Sequence, residues 1–327
     1  MTSAAQQLKQ TLSSGVGQAI YGLEPTIHGL TIALIAKGQV LLEGVPGLGK
    51  TLLAKTLAHL LGGTFKRVQC TADMMPSDLT GIHVYNAEKQ SFDLIPGPLF
   101  ADVVLVDEIN RTGPKTQSAF LQAMEEGAIT IDRETYPLAR DFFIIASQNP
   151  HEFEGTFPLP ESQLDRFLLR LQLEYPDAAC EASILKAYDH PGGGHVQPSV
   201  TETLSNELID QARTQAAAIH VSDAVYDYTT QIAAATRSHH QISLGLSPRG
   251  ALALMRCARV EAALRGAEYV TPDDIKAVAD AVMAHRLILT PDAVLEGIRA
   301  NELANSILDS VEVPRSESPS LDTAQAQ

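Results

Sequence analysis

The sequence predicts an α/β protein, a parallel sheet layered between helices, followed by a smaller all-helical domain. Three observations carry that expectation. Short, continuously apolar and largely β-branched runs recur at Val40–Leu42, Val103–Val106 and Phe142–Ile145, and such runs suit strands buried on both faces of a parallel sheet. Segments with apolar residues three and four apart lie between them, so strand and helix alternate. From Asp177 onward Ala-rich helical segments dominate and no buried strand run recurs.

In chain order, the residues before about Tyr21 are polar and punctuated by Gly and Ser, and read as a loose lead-in. Pro25 suits a first helical turn, and Ile27, Leu30 and Leu34 mark one face of a helix to about Ala36. A strand at Val40–Leu42, a glycine-rich loop and a helix carrying Leu53, Leu57, Leu60 and Leu61 follow, ending at Gly62-Gly63. Phe65–Cys70 is a second strand candidate. Thr71–Gly97 reads as a short helix and a projecting hairpin that includes Phe92. The Val103–Val106 strand, a helix over Pro114–Glu126, a hairpin around Asp132-Arg133, the Phe142–Ile145 strand and a last strand at Phe167–Leu173 complete the layers, which Pro176 closes. Beyond about Thr201 four or more helices are expected. One starts at Ser247-Pro248-Arg249, and another at Thr271-Pro272-Asp273-Asp274, a strong N-cap sequence. The domains are therefore expected at 1–190 (α/β core), 191–200 (linker), 201–313 (helical domain) and 314–327 (disordered tail). His190 and His195 flank the linker but offer no further ligands for a metal.

The chain has 327 residues, 45% hydrophobic, enough for roughly two domains with ample core. Its formal net charge of −15 comes with Lys and Arg too few and scattered for the basic stripe that neutralises a nucleic-acid backbone. Protein or small-molecule partners are favoured over nucleic acid. No run is long and apolar enough to cross a bilayer, and MTSAAQQLKQ lacks the cationic start and apolar stretch of a secretory signal. Cys70, Cys180 and Cys257 fall in no metal or redox spacing and are expected to stay reduced and buried in a cytoplasmic protein.

The chemistry is concentrated at strand ends. Gly44-Val45-Pro46-Gly47-Leu48-Gly49-Lys50-Thr51 fits G-x-x-x-x-G-K-[ST], in which glycines let successive backbone N–H groups turn inward around a phosphate. Lys50 would reach the terminal phosphates, the Thr51 hydroxyl would take a place on Mg²⁺, and the helix that begins there, with Leu52 in its first turn, aims its positive end at the same charge. Asp107-Glu108 closes a fully apolar strand. Two adjacent carboxylates there are costly unless they hold a metal or do chemistry; Asp107 would hold Mg²⁺ through water and Glu108 would polarise the attacking water. Asn149, at the same sheet edge, could sense the γ-phosphate or position the water, although Asn before Pro is also a common turn former. Each feature has a plainer reading, a Gly-rich turn or a strand end reaching solvent.

Five ordered motifs, GVPGLGKT, VDEINR with GPKTQSAFLQAMEEG, SQNP, EGTFPLPESQLDRF and LSPRG, resemble the MoxR group of AAA+ ATPases from about Ile20 to Pro314. The resemblance implies a P-loop core with an inserted hairpin and a helical lid. It implies Mg²⁺-dependent ATP hydrolysis in a homo-oligomeric ring, usually a hexamer with ATP between neighbours, coupled to chaperone-like remodelling or maturation of a client protein, often with a von Willebrand factor A domain partner. Carried over by position, Lys50 and Thr51 belong to Walker A, Asp107 and Glu108 to Walker B, and Asn149 to sensor 1. Arg166 would be the arginine finger that reaches the neighbour's site, with Arg111 a rival, and Arg249 would be sensor 2, contacting phosphate from the lid. The chain departs from the family at Gly22-Leu23, where Gly-Gln is usual near the adenine pocket, at Asp132-Arg133, where Gly is general in the second place, and at Ser147, where Thr is common.

Overall fold

The helices and strands from the amino-terminal end to residue 188 build one layered unit, and a helix opens it where a loose lead-in was expected. The computed structural model describes residues 2–149, 155–189 and 203–314. The expected linker 191–200, the tail beyond 314, and His190 and His195 lie outside the described residues. Helix α1 (Ala4–Gly17) starts in a capping box: the Ser3 hydroxyl accepts from the Gln6 N–H, and the Gln6 side chain accepts from the Ser3 N–H at 3.1 Å. Leu8, Leu12 and Val16 repeat every four residues and are buried with Ala5. A Cβ on Gly15 would meet the Leu60 side chain at 2.6 Å, so the glycine permits a close helix crossing.

The core continues through α2 (Glu24–Ile35), β1 (Val40–Glu43), α3 (Lys50–Leu60), β2 (Phe65–Gln69), α4 (Pro76–Thr80), β3 (Gly81–Asn86) and β4 (Ser91–Pro96). After these come β5 (Val103–Asp107), a single tight turn at Ile109–Arg111, α5 (Pro114–Glu126), β6 (Ala128–Ile131), β7 (Glu134–Pro137), β8 (Phe143–Gln148), α6 (Glu161–Leu164), β9 (Leu169–Gln172) and α7 (Ala178–Tyr188). Five strands form a parallel sheet in the order β2-β5-β8-β1-β9. Alternate residues feed opposite faces: Val40, Leu42, Val103, Leu105, Phe143 and Ile145 join the core built with α1, α2 and α3, whereas Leu41, Val104, Val106, Ile144 and Ala146 join that built with α4 and α5. The register sets Leu42 beside Ser147, Val106 beside Ala146 and Gln69 beside Asp107, so the carboxyl ends of these strands share one edge.

Both expected hairpins form. β3 and β4 pair antiparallel, with Tyr85 and Phe92 in edge-to-face contact at 5.4 Å near the tip, Phe92 being 69% exposed. The β6–β7 turn puts Asp132 in the left-handed region at φ 55°, which an aspartate tolerates better than most residues; this absorbs the missing glycine. His83 ties the two hairpins together through Asp132 at 2.8 Å and the Tyr136 hydroxyl at 2.9 Å.

The second unit contains α8 (Asn206–Ala218), α9 (Asp223–Ser238), β10 (Ile242–Leu244), α10 (Pro248–Arg265), α11 (Pro272–Met283), β11 (Ile288–Leu289), α12 (Pro291–Leu295) and α13 (Ala300–Ser310). It is helical as expected, except that β10 and β11 pair as a short antiparallel ribbon, too brief to leave a periodic signature. Its core is continuous with that of α1, α2 and α3. Polar ties reinforce the seam: His28 meets Glu261 at 2.7 Å, and Arg213 pairs with Asp141 and donates to the Leu34 carbonyl at 3.1 Å. Cys70 and Cys257 are buried free thiols, pushed up to about 12 chiefly by burial, while Cys180 is only half-buried.

Candidate active site

The loop after β1 turns through two glycines with left-handed backbones, Gly47 at φ 90° and Gly49 at φ 79°. Open space surrounds the position of a Cβ on either one, so the loop forms a concavity rather than a packed turn. Gly44 differs, since a Cβ there would strike the Leu173 carbonyl oxygen at 2.8 Å. Lys50 opens the eleven-residue α3 and its Nζ donates to the Gly44 carbonyl at 2.8 Å, folding the cation back over the loop. Val45 is half-buried and Pro46 exposed, and Thr51 stands half-buried in the first turn.

Beside the loop lies a cavity of about 270 Å³ walled by Gly47, Leu48, Gly49 and Leu52 on one side and by Ile20, Tyr21, Leu23, Pro176 and Ile184 on the other. These walls are mostly apolar and suit the faces of a flat heterocycle. Leu23, where a polar contact was in doubt, supplies one of the apolar walls.

Two strands away, the acids at the end of β5 are held by neighbours remote in sequence. Asp107 accepts from the Ser147 hydroxyl at 2.6 Å through one oxygen and pairs with Arg67 at 2.6 Å through the other. The same Ser147 hydroxyl accepts the Glu108 N–H at 3.0 Å. Glu108 sits in the left-handed region at φ 58° and ψ 53°, which costs a non-glycine residue roughly 1–2 kcal/mol. Its carboxylate accepts from Gln69 at 2.8 Å and pairs with Arg111 at 3.1 Å. Asn149 follows β8 directly and stands half-buried at the same edge. Gly44 to Leu52, Asp107, Glu108 and Asn149 are thus gathered at the carboxyl ends of β1, β5 and β8.

Arg166 and Arg249 are gathered elsewhere. Both reach Glu125 in the last turn of α5, Arg166 at 2.9 Å on one oxygen and Arg249 at 2.5 Å on the other. The Arg249 hydrogen bond, with both positive charges, holds the Glu125 carboxyl below its usual range. No described residue of the second unit lines the cavity beside the phosphate loop. Arg249, expected to contact phosphate from the lid, is set by the structure beside Arg166. Arg67 and Gln69, which grip the two acids, carried no motif, and Glu125 stands in one without an assigned role; only the strand order and the docking of the second unit bring these contacts in.

Comparison with known proteins gives the family of the fold. Residues 39–169 match the family model of ATPases associated with various cellular activities (AAA), and residues 234–307 match the AAA lid domain. The chain is 37% identical to Chaperone MoxR1 of Mycobacterium tuberculosis over 92% of its own length and 81% of the relative's, and 33% identical to Protein MoxR of Methylorubrum extorquens over 91% and 93%. The chain belongs to the MoxR-type AAA+ ATPases. This MoxR-type ATPase is also 45% identical to the Bacillus subtilis protein YeaC over 86% of its own length and 87% of the relative's. Its fold superposes on a crystal structure from Cytophaga hutchinsonii with a TM-score of 0.87 and 35% identity over 95% of this chain and 97% of that one. In this MoxR-type ATPase no helix among the described residues is long and apolar enough to cross a membrane.

Proposed function

We propose that this chain is a Mg²⁺-dependent ATP hydrolase of the cytoplasm, acting as a homo-oligomeric, hexameric ring that remodels or matures a client protein. One observation carries the ring: the phosphate loop and the acids share one sheet edge, while the two arginines meet on Glu125 away from the loop cavity. A subunit with these two arginines so disposed brings Lys50 but neither arginine to its own phosphates, and a neighbour can supply that further charge. Arg111 pairs with Glu108 and Arg166 with Glu125 in their own subunit, and Arg166 is taken as the residue acting in trans on its position in the LDRF motif.

Within one subunit, Gly44 to Gly49 present backbone N–H groups to phosphate and Lys50 exchanges the Gly44 carbonyl for phosphoryl oxygen. Among the described residues no cluster of three His, Cys, Asp or Glu side chains could hold a metal alone. That fits Mg²⁺, which is commonly bound by one or two protein groups plus phosphate oxygens; here the groups are Thr51 and Asp107. Bound Mg²⁺ supplies positive charge to the phosphoryl oxygens. Glu108 takes the proton of the attacking water, Asn149 orients that water, Arg249 contacts phosphate from the lid, and Arg166 neutralises charge on the adjoining subunit's triphosphate. The apolar walls around Leu23 hold the base.

The name Chaperone MoxR1 borne by one relative supports a protein client, and the net charge of −15 disfavours nucleic acid. A von Willebrand factor A domain protein is the proposed partner. Phosphate-release and nucleotide-binding assays on Glu108→Gln test the chemistry: turnover should fall about 10²- to 10⁴-fold with ATP affinity retained. Wild-type turnover in that variant would sink the assignment.

A further inference from the structure

The segment that carries Arg166 is gripped from the lid. Arg286, just past α11, is buried, and all five of its N–H donors are engaged. Nε donates to the Asp165 carboxylate at 2.7 Å. One terminal nitrogen donates to the Asp165 carbonyl at 3.2 Å and the Phe167 carbonyl at 2.6 Å, and the other to the Leu168 carbonyl at 3.2 Å and the Val282 carbonyl. Its neighbour His285 contributes a further bond to the Phe167 carbonyl at 3.1 Å. The residues immediately before and after Arg166 are therefore both fixed by one lid guanidinium. The head of Arg166 is held by Glu125, which it shares with the lid residue Arg249.

Adhesion between two domains does not require this. An apolar seam of similar volume would hold lid to core at least as well, because the desolvation of a buried charge offsets much of what its pairing returns. What a planar five-donor fork adds is a fixed geometry for the backbone it grips. We propose that Arg286 is a positioning residue for Arg166: it fixes the backbone on both sides of the arginine offered to the neighbouring subunit, so that the lid of one subunit governs turnover at the site next door. The inference rests on reading Arg166 as the residue that acts in trans.

The test uses the full chain, assembled with ATP and Mg²⁺, and compares Arg286→Gln, Arg286→Lys and Arg166→Ala alone and mixed with Lys50→Ala subunits. Arg286→Gln should lower kcat about tenfold or more with KM and nucleotide affinity little changed, the signature of an interaction felt in the transition state. Arg286→Lys, which keeps the charge opposite Asp165 but has too few donors for the carbonyls, should fall between it and wild type. Mixing with Lys50→Ala, itself inactive, should restore turnover, because each Arg286→Gln site beside a Lys50→Ala subunit then borrows a properly held Arg166. A deficit that mixing does not relieve, or one that appears as lost nucleotide affinity, overturns the proposal. If Arg166→Ala collapses and is rescued by mixing while Arg286→Gln is not, the role of Arg286 alone falls. Wild-type turnover in Arg166→Ala removes the trans reading itself, and the proposal with it. Should Arg286→Gln not fold, Arg286→Lys decides: a rescued deficit supports the proposal, and wild-type turnover overturns it.

Discussion

Ser147 is small, buried and in contact with both acids: its hydroxyl donates to Asp107 and accepts from the Glu108 backbone. Removing it leaves a backbone N–H and a carboxylate oxygen each without a partner, and an unsatisfied buried group costs about 1–3 kcal/mol. Ser147→Ala should therefore lose stability of that order in urea unfolding, and its turnover should drop further than its nucleotide affinity. At this scale the sequence was most legible where chemistry is written contiguously, as in the Gly44–Thr51 loop and at Asp107-Glu108. It was silent where a contact spans the chain. Gln69 reaches Glu108 across 39 residues and Arg286 reaches Asp165 across 121, and neither stands in a string that announces a role.

Elements were legible in proportion to how locally their reasons are stated. The two hairpins and the buried strands declare themselves through alternation and apolar runs. Helix α1 does not, because its apolar residues are diluted by polar ones and its burial waits for α8; the Ala5 N–H is met by Gln215, 210 residues away. The phosphate loop shows how an element can be tested without disturbing its neighbours. Gly49 has a left-handed backbone and open space where a Cβ would stand, so Gly49→Ala meets no clash in the protein itself. The backbone penalty is roughly 1–2 kcal/mol, and the new methyl group occupies room proposed for phosphate. Isothermal titration should show ATP affinity reduced by about tenfold or more, while melting without nucleotide shifts by only a few degrees. Unchanged affinity would mean that the concavity is not where phosphate sits.

Across the whole molecule, the core and lid were foreseeable from the change in composition at Asp177, but not the way the lid docks, which is decided by side chains from both units. His285 reports on that docking. It is buried at the seam, its Nε2 donates to the Phe167 carbonyl, and burial, followed by the nearby charges of Arg286 and Arg170, holds it well below its ordinary range. In the unfolded chain the imidazole takes up a proton near pH 6.5, whereas in the folded seam it stays neutral. Below about pH 6.5 the unfolded state therefore binds more protons, and stability falls as pH falls, by at most about 1.4 kcal/mol per pH unit for this one group. The loss continues until the depressed folded value is reached, and above about pH 7.5 the group contributes almost no slope. Carboxylates titrate in the same acid range, so the informative quantity is a difference. Unfolding free energies measured between pH 7.5 and 5 should decline less steeply in His285→Gln than in wild type, with the two slopes differing by up to one proton. Parallel slopes would mean that the imidazole takes up its proton as readily in the folded seam as in the unfolded chain, and that burial beside Arg286 and Arg170 does not hold it neutral.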